Sequence, residues 1–550
     1  MTKKIITGML PLFLLASLFS FSQPVVKKQI GSGGVNGDFL FKLLLTKDGG
    51  FIAAGTSDSP AGGDKSGYRG SYDFWIVKYN SSGDILWDKV IGANESDELV
   101  DMHQTTDSGY IMLGPSWSGI SGDKTENSRG LPYADYWVVK MDKNRNIQWN
   151  KTLGGSVNDI PTTIRQTLDG GYIIGGWSLS NISGDKTENS KGGSDLWIIK
   201  INAQGNIQWQ KTIGGGGNDG TYLYGDDYSP VIVLPQSDGS YLIGSTSDSN
   251  ISGDKTQNSK GSTDYWLVKL NSQGNVLWDK TIGGSSDEQL RTLNLTKDGG
   301  YIIGGISVSP ISGDKTDTSR GYSDFWVVKL NSNAEIIWDK TIGGDYVDKL
   351  IALDETDDGY ILGGHSSSAR NTGEKTEGRR GIKAYSDYWV VKIDTTGNVQ
   401  WNKTIGGSND EHLYGIKEIK KNKYIMAGWS LSDASKDKTV PSKGGFDFWI
   451  VALTYKDTAG TQLITTTTLS LATQKNNKSV FNLYPNPVKD VIHIQNSSKA
   501  TYMLTNQSGK ILITKTINGK GEINVSHFSA GLYYLKNNET GVVQKIIITK

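Results

Sequence analysis

Residues 264–284 read DYWLVKLNSQGNVLWDKTIGG, and most of that stretch returns at a fixed phase along the chain. Its first tryptophan recurs as Trp75, Trp137, Trp197, Trp266, Trp326, Trp389 and Trp449, at gaps of 62, 60, 69, 60, 63 and 60 residues. A second follows twelve positions later in six copies: Trp87, Trp149, Trp209, Trp278, Trp338 and Trp401. Repetition at this period marks an architecture assembled from one small stacked unit. In the unit spanning 289–342, strand-like runs are read at 289–296, 301–307, 324–331 and 336–342. Each is rich in β-branched and aromatic residues and bounded by Gly, Asp or Asn. In the third run Trp326, Val328 and Leu330 point one way and Phe325 and Val327 the other. Both faces of the sheet therefore need cover.

Four-stranded sheets stacked face to face around an axis meet that need and leave only short edges. The two ends of the array also complement each other. Lys28, Gln29, Ile30 and Gly31 line up with the KTIG of later units, while the seventh unit has its Asp447–Val451 run but no second tryptophan. The expectation is all-β: a seven-bladed β-propeller over residues 23–453, its last blade closed by the N-terminal strand. A linear solenoid would need capping ends and would not explain the complementarity. The unit resembles the bacterial β-propeller repeats of secreted proteins and is similar to the delta-60 repeats. That resemblance implies a fold and says little of function.

The 550 residues carry 57 basic and 57 acidic side chains, a formal net charge of zero. A nucleic-acid or membrane-surface protein would show a basic bias. With no cysteine, disulfides, thiolate metal sites and cysteine nucleophiles are excluded. Lys3 and Lys4 ahead of the apolar run 5–21, with Ser20 and Ser22 at the cleavage positions, read as a secretory signal peptide over 1–22. No integral membrane span is expected after its removal. Residues 454–478, dominated by Thr, Asn, Lys and Ser, read as a linker. Residues 479–550 return to alternating apolar patterns and read as a small β-sandwich. They open with Tyr484-Pro485-Asn486-Pro487, carry Gly531 and Tyr533 in a G-x-Y-x-L element, and end on KIIITK. This combination resembles the type A C-terminal sorting domain of type IX secretion substrates in the Bacteroidetes. The resemblance implies export across both membranes, the secretion machinery as a partner, and an extracellular or outer-membrane-surface location.

Thirteen of the 16 tryptophans occupy the two repeated positions and read as core. Trp177 and Trp429 share a third position, with Trp117 nearby, and packing is the favoured reading over exposed contact. The loop between the second and third strands also repeats. Its acid recurs as Asp64, Asp123, Asp185, Asp254, Asp314, Glu374 and Asp437, and its base as Arg69, Arg129, Lys191, Lys260, Arg320, Arg380 and Lys443. Asp185, Thr187 and Asn189 alternate like the start of a calcium loop, but Ser190 and Leu196 stand where such a loop needs Gly and Glu. An acid–base pair and Asx-type turns stiffening each loop is the preferred reading, with no metal and no cofactor. The fourth unit is nine residues longer than the fifth; Asp219, Tyr222, Tyr224, Asp226, Asp227 and Tyr228 there form an aromatic, acidic loop suited to a sugar. The five histidines are scattered, and no HExxH, GxSxG or phosphate loop occurs. The expected role is a binding or scaffold protein rather than an enzyme, contacting a glycan or another protein. A structural surface protein, or a glycan hydrolase or lyase with carboxylates in the axial channel, are the alternatives.

Overall fold

The computed structural model describes residues 23–220, 229–455, 482–506, 511–539 and 543–549. The described residues fall into two compact units. The first holds seven four-stranded antiparallel sheets. Blades 1 to 6 each use four consecutive strands, beginning at Asp38, Asp101, Asp159, Ile232, Glu288 and Asp348. In the fifth blade these are Glu288–Leu295, Tyr301–Ser307, Asp324–Leu330 and Ile336–Ile342, within a residue of the runs read from sequence. The seventh blade takes Glu411–Lys420, Lys423–Ser430 and Asp447–Thr454 from the end of the array and Val25–Ser32 from its start. Val25 pairs with Thr454 and Gly31 with Trp449. The array is a seven-bladed β-propeller closed by strand exchange.

The third strand of each blade carries the packing. All seven residues of Asp324–Leu330 are buried. Trp326, Val328 and Leu330 pack toward blade 4 with Tyr265 and Leu267, whereas Phe325 and Val327 pack toward blade 6 with Trp389 and Val391. The alternation thus builds one apolar layer at each blade junction. The aromatic before each tryptophan meets the tryptophan of the next blade, as in Phe74–Trp137, Tyr136–Trp197, Tyr265–Trp326 and Tyr388–Trp449, with centroids 4.8–5.1 Å apart. Each indole N–H is satisfied by the residue thirteen places on, such as Asn150 for Trp137 and Asp279 for Trp266. In blade 7 the residue thirteen places on, Gln462, lies outside the described residues. Gln29 of the N-terminal strand takes its place and accepts from Trp449 at 3.2 Å.

First strands carry a bulge, as between Leu290 and Thr292, which pushes a carbonyl against the second strand. A Cβ on Gly305 would lie 1.9 Å from the Gln289 carbonyl oxygen, and one on Gly428 equally close to that of His412. Only glycine fits there. The second set of tryptophans departs from the core reading. Five of the six are half-buried and only Trp401 is buried. They lie on the outer strands and meet the next blade's tyrosine edge-on, as Trp149 meets Tyr172 at 6.1 Å.

The second unit is a five-stranded antiparallel β-domain. Its long strand Val491–Thr505 changes partners along its length. Residues 493–495 pair with Asn482–Tyr484, and Tyr502–Thr505 pair with Gly531–Asn537. Alternate residues Ile492, Ile494, Tyr502 and Leu504 join Leu535, Ile546 and Ile548 in one core.

Candidate functional site

The loops between second and third strands and the connections between blades share one end of the propeller, the long-loop face. Each such loop plants a buried lysine: Lys65, Lys124, Lys186, Lys255, Lys315, Lys375 or Lys438. Two buried carboxylates attract it. One opens the third strand, as Asp73, Asp135 or Asp387 does, and the other opens the first, as Asp38 or Asp348 does, or lies four residues ahead of it, as Asp97 does. The first-strand carboxylate also accepts the backbone N–H four residues before it, at 2.6–2.7 Å in all seven blades. Burial pushes the carboxyls of Asp38, Asp97 and Asp159 up to about 6 and the ammonium groups of Lys124 and Lys375 down to about 8.

The repeated acid and base of each loop pair between neighbouring blades rather than within one loop. Arg69 meets Asp123, Arg129 Asp185, Arg320 Glu374 and Arg380 Asp437, at 2.5–3.3 Å. Lys191–Asp254 and Lys260–Asp314 continue the series, and Lys443–Asp64 closes it from blade 7 to blade 1. Each acid also accepts the N–H of a glycine in the inter-blade connection, as Asp185 does from Gly154 at 3.2 Å. Asp185 is thus held by an arginine and a backbone amide. Among the described residues no group of three or more His, Asp or Glu is placed to hold a metal. The loop is closed by a longer-range bond than an Asx turn: Asn127, Asn189 and Asn258 accept the N–H of Ile120, Ile182 and Ile251, seven residues earlier.

Inside this ring the axial channel opens into a cavity of about 160 Å³, to which all seven blades contribute. Its wall is mostly apolar and includes Phe41, Ile160, Pro161, Ile351 and Tyr414, the Phe41 and Tyr414 rings meeting edge-on at 5.1 Å. Three ionisable groups interrupt it: Glu98, Arg291 and His365. No hydrogen bond or ion pair engages the Glu98 carboxyl among the described residues. Burial, reinforced by Asp97, pushes it up to about 7. His365 is 3% exposed, and neither ring nitrogen has a partner among the described residues. Burial, with His412 beside it, holds this imidazole well below the usual histidine range, so it is neutral. It stacks on His412 with centroids 3.9 Å apart, and His412 stacks on Trp429 at 4.1 Å. Glu98 also borders a surface recess of about 570 Å³ formed with Asn94, Glu95, Trp117, Leu131 and Pro132.

Nearer the short-turn end, the channel carboxylates are engaged. Asp101 pairs with Lys42 at 2.6 Å and with Arg165, and lies 3.3 Å from His103. Burial opposes its charge, yet Arg165 and Lys42 hold its carboxyl well below the usual range. Burial, with the same two cations, pushes His103 down to about 3. Asp354 pairs with Lys417 at 2.6 Å.

The sequence-read insert loop meets the structure at one residue. Asp219 is no loop contact: it is fully buried as the blade-4 member of the first-strand carboxylates, bonded by Gly215 N–H and Ser249. Tyr222, Tyr224, Asp226, Asp227 and Tyr228 lie outside the described residues, as does the 1–22 leader. On the near side of the gap Pro230 lines the cavity. Trp177 and Trp429 are buried, while Trp117 is partly buried, packed against the core cluster that holds Trp177 and lining the recess. Sequence reading missed Glu98, Arg291 and His365. Their signal is departure from the repeat: Glu98 falls where other blades have Phe39, Ile160 or Gln289.

In the C-terminal domain Tyr484 is exposed, and Asn486 binds the last strand twice, donating to the Lys545 carbonyl at 2.7 Å and accepting from Ile547 N–H at 2.9 Å. Tyr533 donates to the Ser529 carbonyl at 2.9 Å, and Gly531 pairs with Ile548. The quoted motifs therefore lock the start of the domain to its end. Residues 482–549 match the family of secretion system C-terminal sorting domains. The chain carries a type IX sorting domain. It is exported to the cell surface or beyond, and the secretion machinery is a partner of this domain. Among the described residues no helix is long and apolar enough to cross a membrane.

A curated relative is the regulatory protein FlaEY of Caulobacter vibrioides, 22% identical over 361 residues. The match covers 62% of this chain and 37% of that protein, so the chain spans well under half its length. Solved structures similar to the propeller include the β-propeller domain of Cps50 (Swd1) from Myceliophthora thermophila, at 8% identity and TM-score 0.38 over 79% of this chain and all of that one. The Neurospora crassa Pan2 WD40 domain is also 8% identical, with TM-score 0.39 over 75% of this chain and 88% of that one. A Dyadobacter fermentans protein of unknown function is 10% identical, with TM-score 0.36 over 78% and 99%.

Proposed function

We propose that the exported propeller is a binding protein without catalytic activity, and that its long-loop face holds an extracellular glycan. The observation that carries this reading is the partly buried Trp117 in a surface recess that meets the axial cavity at Glu98. An aromatic face beside polar groups suits the alternating CH and hydroxyl surfaces of a sugar chain. The chain on the far side of residues 221–228 returns at Pro230, which lines the axial cavity. The ion-pair ring and buried lysines support a binding role, since they pre-order the loops before any partner arrives. A non-catalytic role accords with Asp101 and Asp354, which are held by cations rather than set out as a free acid and base.

Screening the mature chain on a glycan array tests this. Specific binding, weakened by Trp117→Ala and by deletion of 221–228, is expected. No binding from folded protein, or binding indifferent to both changes, would refute it. A protein partner is the second reading. Its support is Ile120, Ile182, Ile251 and Ile311, four equivalent loop isoleucines on consecutive blades that are 60–63% exposed.

A further inference from the structure

The axial cavity has its own chemistry, distinct from the ring of loops around it. Most buried polar groups in a folded protein find partners. Here neither ring nitrogen of His365 has one among the described residues, and the ring lines a mainly apolar space together with the half-buried Glu98, whose carboxyl has no protein partner among the described residues. His365 is more than nine-tenths buried, so water at the surface does not satisfy it. As a neutral imidazole it offers one N–H donor and one bare acceptor nitrogen. Its ring is fixed by the stack on His412 and Trp429, so both nitrogens keep their direction.

Three features narrow what fits. The volume of about 160 Å³ corresponds to on the order of ten ordered waters, one small ring rather than a chain. The wall carries one acid, Glu98, and one base, Arg291, which also donates to Gln289 at 2.9 Å. With its carboxyl pushed up to about 7, Glu98 carries only part of a charge at neutral pH, and Gln289 already engages Arg291, so neither group by itself selects an ion. Finally, the apolar rings of Phe41 and Tyr414 call for a ligand with an apolar face, while His365 and Glu98 call for groups that both donate and accept. A neutral pyranose meets all three conditions, with CH faces against the aromatic wall and hydroxyls at the rim.

We propose that the axial cavity is a binding pocket for a single neutral sugar ring, held by Glu98 and His365 against Phe41 and Tyr414. This rests on the glycan reading above and deepens it: the terminal sugar enters the channel and the rest of the chain follows the Trp117 recess outward.

The test is calorimetric titration of the mature chain with glucose, galactose, mannose, fucose and N-acetylglucosamine. Glucuronic acid, leucine and putrescine serve as acidic, zwitterionic and cationic comparators. At least one neutral sugar binds, and Glu98→Gln weakens it about tenfold or more through loss of a charge-assisted hydrogen bond. His365→Phe abolishes binding; if that variant unfolds, Glu98→Gln alone carries the test. No binding by any neutral sugar, preferential binding of a charged comparator, or full affinity in Glu98→Gln would overturn the proposal. Array binding that survives Glu98→Gln but is lost in Trp117→Ala would leave the glycan surface standing and remove the sugar from the channel.

Discussion

Replacing Gln29 by alanine tests the closure of the ring at one side chain. Gln29 lies on the N-terminal strand of blade 7. It accepts the Trp449 indole N–H at 3.2 Å, accepts Thr439 N–H at 3.0 Å and donates to the Asp437 carbonyl at 2.6 Å. Trp449 is fully buried, so truncation leaves its N–H without a partner at a cost of about 1–3 kcal/mol. The lost Asp437 bond adds about 0.5–1.5 kcal/mol, whereas the exposed Thr439 N–H turns to water. The total is about 2–4 kcal/mol. Other blades supply the control. Asn150 and Asn402 perform the same two tasks in blades 2 and 6, accepting from Trp137 and Trp389 and donating to Asp123 and Glu374 carbonyls. Gln29→Asn should therefore keep most of the stability that Gln29→Ala loses. Urea unfolding followed by tryptophan fluorescence measures both, and hydrogen exchange of the Asp447–Thr454 amides localises the effect. An alanine variant with the wild-type midpoint, or an asparagine variant as damaged as alanine, would refute the reasoning.

Further predictions follow the same polar framework. Lys375→Ala strips the cation from buried Asp348 and Asp387 and should cost about 3–5 kcal/mol. Lys443→Ala breaks only the half-exposed pair with Asp64 and should cost about 1 kcal/mol or less in the same urea assay. The folded-state values of Asp38, Asp97, Asp159, Asp264 and Asp324 are raised by burial to about 6, and that of Asp135 to about 7. Their stabilisation is full below about pH 4 and is lost as pH rises through 6 to 7. Asp48 and Asp298, hydrogen-bonded by Thr46 and Thr296 and held at about 2, act oppositely but only at pH below about 4. The melting temperature should therefore fall from pH 5 to pH 8; a rise over that window would contradict the assignment. Asn486→Ala removes the two side-chain bonds by which Asn486 ties the sorting domain's first turn to its last strand and should destabilise that domain by about 1–3 kcal/mol, read as faster proteolysis of residues 482–549.

The blade count, strand order and strand exchange were legible because a packing rule repeated seven times leaves seven copies of its signature. Trp326 and Phe325 announced their two faces, and the N-terminal strand announced its place in the last blade, but not its register: the match to KTIG set Gln29 against the threonine, whereas the pairing of Gly31 with Trp449 puts it two positions earlier, at the indole acceptor. The destinations of the charged loop residues were less legible. Arg129 and Asp185 pair across a junction, and a sequence repeated in every blade reads the same whether its bonds close within one copy or reach to the next. The half-burial of Trp149 and its equivalents was hidden for a related reason, since periodicity shows that a residue is structural but not how deep it lies. The cavity was least visible. Glu98, Arg291 and His365 come from three blades and converge only when the ring closes, so no local spacing records them. Asp219 shows the converse: the same first-strand position as Asp38, beside an unusual insert, drew attention to a residue whose role is ordinary in every blade.

Recognition at the channel mouth, on the long-loop face, is tested most directly by hydrogen exchange of the mature chain with and without the strongest glycan from the array. Protection is predicted in the segments around Asn94–Glu98, Trp117 and Ile160–Thr162. The short turns at Asp48, Asp107 and Asp298, at the other end of the channel, should remain unchanged. Protection confined to those short turns or to the outer strands, with none around Trp117 and Glu98, would contradict it.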